Sequence, residues 1–411
     1  MRIQSLGDLG EPAGVLRAVG AATARLGLPP PAALTGEWFR SRAVIAPSVA
    51  VRPVDPAAVF PGPAGGPGDA VGGGWVGYLS YPDLGAERRP RRLPQAAGGW
   101  TDCVLRCDGT GGWWFESLTG APMPGWLADA LARPAPARAC HIDWRYPDRG
   151  THHAGVLACL AAISAGEVYQ SCVCTQLTGT VAGDPLDFFA DAIARSAPAR
   201  AAYLSGRWGA VASLSPELFL RRRGEEVISS PIKGTLPLRA DPAELTASAK
   251  DVAENIMIVD LVRNDLGRLA RTGTVTVPEL LAVHRAPGVW HLVSTVAADV
   301  PTDVPMTALL EAAFPPASVT GTPKLRARQL LSRWEPHTRG VYCGTVGFAS
   351  PVAGCELNVA IRTVEFDPAG TAVLGVGGGI TADSDPDAEW QECLHKAAPV
   401  VGLDTAMPAV G

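Results

Sequence analysis

The sequence is short of lysine, of paired cysteine motifs, of long apolar runs and of charge. Charged residues make up 18% of the 411 residues and the formal net charge is −5, which predicts neither a nucleic-acid-binding surface nor a disordered chain. No apolar run reaches the length of a membrane span, and the first residues contain no apolar signal core, so we expect no membrane partner. A chain of this length can form one large domain or two average ones.

The nine cysteines lack the spacing of a metal site or a redox pair. One residue separates Cys172 from Cys174 and three separate Cys103 from Cys107, whereas zinc sites and redox dithiols need other spacings. An odd number of cysteines in a chain of this length favours reduced thiols. We therefore expect a cytoplasmic protein.

Lysine is scarce among the 35 basic residues, the rest being arginine. The four lysines are Lys233, Lys250, Lys324 and Lys396. A surface charge can be either residue, but a nucleophilic amine must be lysine, because arginine stays protonated. Lys233 follows a predicted strand and precedes Gly234, where it is either an exposed turn lysine or a chemical group. The surroundings of the other three lysines favour the second interpretation.

Periodicity and turn residues predict a chain rich in strands. Short apolar segments between Gly/Pro turns fill residues 1–145 and predict strands of a mixed sheet. Beyond residue 150 the spacing of apolar residues is clearer. Helices are predicted over 152–165, over 243–266 with a stop at Gly267, from Thr322 as N-cap to Trp334, and after Asp385 as N-cap. Strands are predicted over 168–174, 290–294 and 359–364.

Three polar residues lie where two interpretations are open. Glu217 follows a proline bend and is either a turn acid or a catalytic carboxylate. Glu254 lies on an apolar flank of the long helix, where an unpaired carboxylate is unfavourable. It either pairs with Lys250 one turn earlier or binds a metal ion that faces a cavity. His291 lies among apolar strand residues and is either a hydrogen-bonded core histidine or a functional one.

The end of the chain places charged groups beside glycines. Arg362 lies in a predicted strand and suggests a carboxylate partner. Residues 375–380 contain three consecutive glycines that can form an anion-binding nest of backbone amides. Spacings of three and four put Glu389, Glu392 and Lys396 on one helix face. This face is either solvated or a magnesium site, since magnesium prefers carboxylate oxygens.

Eight segments together resemble the chorismate-utilising enzymes, the family of anthranilate synthase component I, isochorismate synthase and salicylate synthase. In the order of that family, they are residues 166–170, 213–217, 231–235, 253–265, 291–294, 319–324, 358–363 and 377–386. The resemblance implies an α+β fold with two packed mixed or antiparallel β-sheets, helices outside and a cleft. Residues 1–145 would contribute to the sheet core and 146–405 would form the chorismate-binding catalytic region, all in one structural unit.

The resemblance also implies a magnesium ion that holds the ring carboxylate of chorismate. Its ligands would be Glu254 and Glu392, with Glu389 close by or bridging through water. The same carboxylate would be contacted by the backbone amides of three glycines and by one lysine. These residues are Gly377, Gly378, Gly379 and Lys396.

Further roles follow from the same resemblance. Arg362 and Tyr342 would hold the enolpyruvyl carboxylate, and Thr320 would contact the substrate. Glu217 would protonate the departing C4 hydroxyl, and His291 would lie near that hydroxyl.

Two positions select the reaction within the family. Members that add water have a lysine base at the position of Gln170, and glutamine cannot accept a proton, so ammonia is the favoured nucleophile. Lys233 matches a lysine of the branch that aminates chorismate at C4, where anthranilate and salicylate synthases have alanine. The resemblance therefore implies C4 amination through a covalent Lys233 intermediate. Anthranilate formation or another ammonia-using reaction is the alternative, and a non-catalytic anion-binding module is a third possibility.

The expected source of ammonia is a separate glutamine amidotransferase subunit, because the sequence contains no Gly-x-Cys-x-Gly nucleophile segment. The chain also departs from the family pattern. Leu236 and Leu238 replace two arginines, Cys172 replaces an asparagine, and Glu356 stands where aspartate is common. These departures suggest a divergent branch, in folate and para-aminobenzoate synthesis or in the synthesis of a specialised metabolite such as an antibiotic.

Overall fold

The computed structural model describes residues 1–62, 65–66, 68, 70–85, 89 and 91–402. The predicted catalytic region extends to residue 405, so its last three residues lie outside the described part. In the described residues no helix is long and apolar enough to cross a membrane. All nine cysteines are free thiols, as the odd count predicts.

The strands of the described chain are numbered in chain order. They are β1 (Arg2–Gly7), β2 (Ala32–Trp38), β3 (Ser41–Ala46), β4 (Arg52–Pro53), β5 (Gly74–Leu79), β6 (Ala96–Thr101), β7 (Cys103–Asp108), β8 (Trp113–Ser117), β9 (His141–Arg145), β10 (Gln170–Ala182), β11 (Arg200–Gly206), β12 (Gly209–Ser215), β13 (Leu218–Arg223), β14 (Glu226–Ser230), β15 (Ile232–Pro237), β16 (Thr276–Ala286), β17 (Val289–Asp299), β18 (Gly321–Thr322), β19 (Thr345–Ser350), β20 (Gly354–Asn358), β21 (Thr363–Phe366) and β22 (Thr371–Ile380).

The helices are numbered in the same way. They are α1 (Pro12–Leu26), α2 (Gly125–Leu131), α3 (Arg149–Ser164), α4 (Pro185–Ser196), α5 (Ala243–Ala247), α6 (Ala249–Gly267), α7 (Met306–Ala313), α8 (Lys324–Trp334) and α9 (Pro386–Val401).

The strands form two sheets. The larger sheet has 12 strands in the order β1-β8-β7-β3-β2-β11-β12-β21-β22-β10-β18, with β9 also paired to β10. The smaller sheet has 10 strands in the order β15-β17-β14-β13-β20-β19-β5-β6-β4, with β16 also paired to β17. Every pairing among the described residues is antiparallel, so the strands predicted for a mixed sheet in residues 1–145 lie in antiparallel sheets.

Alternation along the strands explains how the layers pack, since successive side chains point to opposite faces. On β2, Ala32 and Leu34 pack with Phe348 of the smaller sheet, in the layer between the sheets. The intervening Ala33 packs on the other face with Leu16 of α1 and other helical residues. A third cluster covers the outer face of the smaller sheet with α6 and α7. The predicted α+β class, two packed sheets with helices outside, is confirmed.

The chain crosses between the sheets at two points that matter for the site. It leaves the larger sheet after β12 and enters the smaller one at β13, so Glu217 lies in this crossing. It returns between β20 and β21, where Arg362 adopts a φ of 50°. The crossings touch, because Val359 N donates to Glu217 O at 3.0 Å and Leu214 N donates to Arg362 O at 3.0 Å.

The predicted strand over 359–364 is therefore wrong for its first four residues. The sequence alternates, but Val359 packs in the core of the smaller sheet and Ala360 in the layer between the sheets. The chain is changing sheets here, and β21 begins only at Thr363.

Three predicted helices differ from the observed ones near their N-termini. The helix predicted over 152–165 begins at Arg149. The helix predicted over 243–266 is two helices, because Ser248 has extended dihedral angles and its side chain caps α6 at Asp251 N. Thr322 is not the N-cap of α8, since it pairs with Gln170 in β18, and Pro323 takes the N-cap position. The cap at Asp385 is confirmed, because its carboxylate accepts from two backbone amides of α9.

Candidate active site

The glycine segment of β22 forms the floor of the site. Residues 377–379 lie in a regular strand paired with β10, with Val173 opposite Gly378. A nest needs alternating left- and right-handed backbone, and these glycines have no positive φ. The predicted nest is therefore wrong in conformation.

The glycines are needed for a different reason, because carboxylates lie directly against the strand. A Cβ on Gly379 would collide with Glu254 Oε1 and would lie 3.3 Å from Lys233 Nζ. A Cβ on Gly378 would lie 2.9 Å from Glu389 Oε2. The absence of side chains thus lets α6 and α9 bring their carboxylates onto the floor.

A β-bulge positions Lys233. In the pairing of β15 with β17, Ile232 lies opposite Val293 and Thr235 opposite His291. Three steps along β15 therefore match two along β17, and the extra residue falls at Lys233–Gly234. Gly234 has a φ of 83°, which favours glycine. The bulge directs Lys233 towards Glu254 with only 11% of its side chain exposed.

Three lysine–glutamate pairs surround the floor, and each carboxylate accepts from a different lysine. The pairs are Lys233–Glu254 at 2.5 Å, Lys250–Glu389 at 2.7 Å and Lys396–Glu392 at 2.7 Å. The predicted alternative, in which Lys250 pairs with Glu254 on its own helix, is wrong, because Lys250 reaches across to α9. The predicted common face of Glu389, Glu392 and Lys396 is confirmed, since all three border the glycine strand.

These pairs shift the pKa values of their members. Burial alone would lower the pKa of Lys233, but the Glu254 carboxylate outweighs it and holds the pKa above the ordinary lysine value. Lys233 is therefore an ammonium in this structure. Burial would raise the pKa of Glu392, but Lys396 and two further ammonium groups hold it below the ordinary carboxylate value.

Glu217, His291 and Arg362 form a second group near the two crossings. Burial raises the pKa of Glu217 to about 7, so the carboxyl can hold a proton near neutral pH. Burial and then the Arg362 guanidinium lower the pKa of His291 to about 4, so its ring is neutral. Thr235 Oγ1 lies 2.8 Å from His291 Nδ1. Burial lowers the pKa of Arg362, and Glu217 partly offsets that effect.

The remaining predicted residues lie on β10 or against it. Gln170 opens β10, and its buried Oε1 has no hydrogen-bond partner among the described residues. Thr320 Oγ1 donates to Pro316 O at 3.1 Å, so its oxygen can still accept. The Tyr342 ring packs on Gly375, whose missing side chain makes room for it.

A sequence profile of the chorismate binding enzyme family matches residues 63–402 of this chain. The chain belongs to the chorismate-binding enzyme family.

Similar proteins agree with this assignment. Aminodeoxychorismate synthase component 1 of Klebsiella aerogenes is 42% identical over 243 residues, which cover 57% of this chain and 54% of that protein. Aminodeoxychorismate synthase of Streptomyces pristinaespiralis is 38% identical over 357 residues, which cover 79% of this chain and 50% of that protein. The chain spans about half the length of the curated relatives it matches.

A solved structure supports the fold. Anthranilate synthase component I from Streptococcus pneumoniae matches this chain with a TM-score of 0.70 at 24% identity, over 80% of this chain and 81% of that one. The predicted anthranilate synthase component I-like fold is therefore confirmed for this chorismate-binding enzyme.

The carboxylates of Glu254, Glu389 and Glu392 offer the oxygen donors that a hard cation prefers. Glu389 Oε2 is buried against Gly378 and has no hydrogen-bond partner among the described residues. Carboxylate oxygens are also the donors that magnesium prefers. In the described part of the chain no three acidic, histidine or cysteine side chains already converge as a metal site, since each glutamate is turned to a lysine. The residues fit magnesium once these ion pairs rearrange.

Three residues at the site were not found from the sequence. Lys250 pairs with Glu389, Ser384 Oγ donates to the same carboxylate at 2.6 Å, and Thr235 contacts His291. The scarcity of lysine was a usable signal for Lys250. Thr235 and Ser384 lie in segments that resemble the family, but their contacts could not be predicted, because they depend on the bulge and on the turn before α9.

Proposed function

We propose that this chain is the component of an aminodeoxychorismate synthase that converts chorismate and ammonia into 4-amino-4-deoxychorismate. The observation that carries this proposal is the position of Lys233, a buried lysine directed by a β-bulge to the glycine floor. The aminodeoxychorismate synthases that the chain resembles at 38–42% identity favour the same reaction.

Chorismate has two carboxylates, and the site offers a cationic group for each. Arg362, with Tyr342, binds the enolpyruvyl carboxylate, and Thr320 contacts the ring. Lys396 and the edge of residues 377–379 that β21 leaves unpaired bind the ring carboxylate. Glu254, Glu389 and Glu392 would hold a magnesium ion, which when bound neutralises the ring carboxylate.

Amination then proceeds in two displacements. In the first, Lys233 Nζ forms a bond to C2, the ring double bonds move from C1–C2 and C5–C6 to C1–C6 and C4–C5, and the C4–O bond breaks. Glu217 gives its proton to the hydroxyl, which leaves as water, and the second displacement moves the double bonds back. His291, neutral and held by Thr235, donates to the same hydroxyl. In the second, ammonia forms a bond to C4, the C2–N bond breaks and the lysine amine is restored. Glu217 takes the proton that the new amine releases.

The free amine of Lys233 requires that Glu254 no longer act as its counter-ion. Burial by itself lowers the pKa of Lys233, and the neighbouring Glu254 carboxylate is the main group that opposes that effect, with Cys172 adding to it. Glu254 engaged as a cation ligand would leave burial to favour the neutral amine. A covalent Lys233 intermediate therefore requires this state and not the ion-paired one in the structure.

The choice of nucleophile follows from Gln170, which lies buried at the start of β10 and cannot act as a base towards water. Ammonia needs no such base. Its source is a separate glutamine amidotransferase subunit, and the nine free thiols support a cytoplasmic location.

The test is incubation of the purified chain with chorismate, magnesium and an ammonium salt, followed by mass and chromatographic identification of the product against standards. We expect 4-amino-4-deoxychorismate. Anthranilate as the main product would establish the alternative reaction, and unchanged chorismate under all conditions would overturn both.

A further inference from the structure

Glu389 is the most deeply buried of the three glutamates at the floor, with 2% of its side chain exposed. Its Oε1 accepts two hydrogen bonds, from Lys250 Nζ at 2.7 Å and from Ser384 Oγ at 2.6 Å. Its Oε2 is buried beside Gly378 without a partner among the described residues. One oxygen is therefore saturated while the other is free to bind a ligand.

Lys250 has the opposite character. Its side chain is 37% exposed, and its ammonium makes no second hydrogen bond among the described residues. An ammonium with access to water can leave a carboxylate at little cost in desolvation, whereas a buried carboxylate cannot follow it. The pair therefore joins a fixed anion to a removable cation.

The other two lysines at the floor are held more firmly. Lys233 is only 11% exposed. Lys396 is 41% exposed, about as much as Lys250, but it donates both to Glu392 and to Gly377 O, at 2.7 and 2.8 Å, so its second hydrogen bond retains it. Lys250 is thus the ammonium that can most easily leave the site.

We propose that Lys250 is an internal counter-ion that competes with a divalent cation for Glu389 and so sets the cation affinity of the site. Three carboxylates and three ammonium groups balance at the floor, and an added divalent cation would leave an excess of positive charge. Release of Lys250 into solvent removes part of that excess and frees Glu389 Oε1 as well as Oε2. The nature of the cation, magnesium, rests on the proposed function.

The first test is the variant Lys250→Met, titrated with Mg²⁺ by calorimetry in the absence of chorismate. We expect the dissociation constant to fall by roughly tenfold, because a charged hydrogen bond of this kind contributes about one factor of ten to a competing equilibrium. The double variant Lys250→Met/Glu389→Gln should lose this gain.

The matched control is Arg149→Met. Arg149 pairs with Asp387 on α9, two residues before Glu389, and both side chains are exposed. Like Lys250→Met, the control removes one positive charge that pairs with a carboxylate of α9, but Arg149 makes no contact with Glu389. An equal gain in both single variants would show a general electrostatic effect and would overturn the proposal.

The second test measures the wild-type protein and needs a variant only to assign the signal. With only four lysines in the chain, labelling with ¹⁵N-lysine gives few Nζ signals, and Lys250→Met assigns one of them. Addition of Mg²⁺ should shift the Lys250 signal towards that of a solvated ammonium.

The outcomes separate this proposal from the proposed function. Mg²⁺ binding that leaves both the Lys250 signal and the affinity of Lys250→Met unchanged would overturn the role of Lys250 alone. Failure of the wild-type protein to bind Mg²⁺ at all would overturn both the metal site and this role, while amination without metal would remain measurable.

Discussion

Lys233 and Glu254 form a pair in which each residue controls the chemistry of the other. The lysine neutralises a buried carboxylate, and the carboxylate keeps the lysine protonated against the effect of burial. Removal of either partner therefore exposes the other to the full desolvation of the site. Lys233 could be singled out from the sequence by its rarity, but its protonation state could not, because that depends on a residue 21 positions away.

The variant Lys233→Ala tests the covalent route. Without ammonia, the wild-type chain with chorismate and magnesium should carry an adduct on the peptide that contains Lys233, and the variant should carry none. Formation of 4-amino-4-deoxychorismate should fall by several orders of magnitude, because the nucleophile is lost. Peptide mass spectrometry and product chromatography measure the two effects.

Lys250→Met is the control for that experiment, since it removes a lysine from the same floor and should retain the adduct. Wild-type rates of C4 amination in Lys233→Ala would show that Lys233 is a structural lysine.

The pKa of Glu217 predicts the pH dependence of amination. The general acid must be protonated, and burial raises its pKa to about 7. The rate should therefore fall by roughly tenfold per pH unit above pH 7. The measurement is initial rate against pH at a fixed concentration of free NH₃, because raising the pH also increases the supply of that nucleophile.

Glu217→Gln should lower the rate by roughly two to four orders of magnitude and remove the fall above pH 7. A variant with the same pH profile as wild type would assign the titration to another group.

At the scale of elements, strand β22 makes room for the carboxylates of the site because its glycines have no side chains. Gly379 has an extended backbone that any residue can adopt, so Gly379→Ala introduces no backbone strain. Its methyl group would nevertheless occupy the position of Glu254 Oε1. We expect Mg²⁺ affinity to fall by roughly tenfold or more, since the ligand must move, with little change in Tm.

Calorimetric titration and thermal unfolding of Gly379→Ala test this prediction. Gly109→Ala is the control, because an added Cβ there meets no atom within 4 Å. An unchanged Mg²⁺ affinity in Gly379→Ala would remove Glu254 from the proposed ligands.

The elements divide into those that local pattern reveals and those that long-range contacts decide. The start of α9 was predictable because Asp385 and Pro386 signal a helix locally. The sheet crossing before Arg362 was not, because residues 359–364 alternate like a strand. The bulge at Lys233 was equally hidden, since it is defined only by the pairing of Thr235 with His291. Contacts such as Lys250–Glu389, 139 residues apart, leave no periodic signal.

At the scale of the whole molecule, the site lies where the chain passes from one sheet to the other. Glu217 and Arg362 lie in the two crossings. The backbone oxygen of each accepts a hydrogen bond from a residue close in sequence to the other crossing residue, Val359 for Glu217 and Leu214 for Arg362. The proposed acid and the proposed substrate-binding cation are therefore fixed by both sheets together. Residues 1–145 supply strands to both sheets, so the catalytic half of the sequence completes neither sheet alone.

The nitrogen source is a prediction about the molecule as a whole. The chain contains no Gly-x-Cys-x-Gly segment, and its cysteines lie buried or half-buried. The purified chain should therefore use ammonium salts and show no turnover with glutamine. Addition of a glutamine amidotransferase subunit should restore glutamine-dependent product formation. Glutamine-dependent turnover by the purified chain alone would contradict this prediction.

The lysine pairs have a practical consequence for chemical modification. Three lysines surround the glycine floor, and Lys324 is tied to Asp265 and to Ala313 O. Acylating reagents react mainly with lysine amines on protein surfaces. In this protein every lysine side-chain amine is already paired with a carboxylate. Acetylation or succinylation of a lysine here would have to break an ion pair first. Modification should therefore coincide with inactivation or with loosening of α8 from α6, rather than with harmless labelling of the surface.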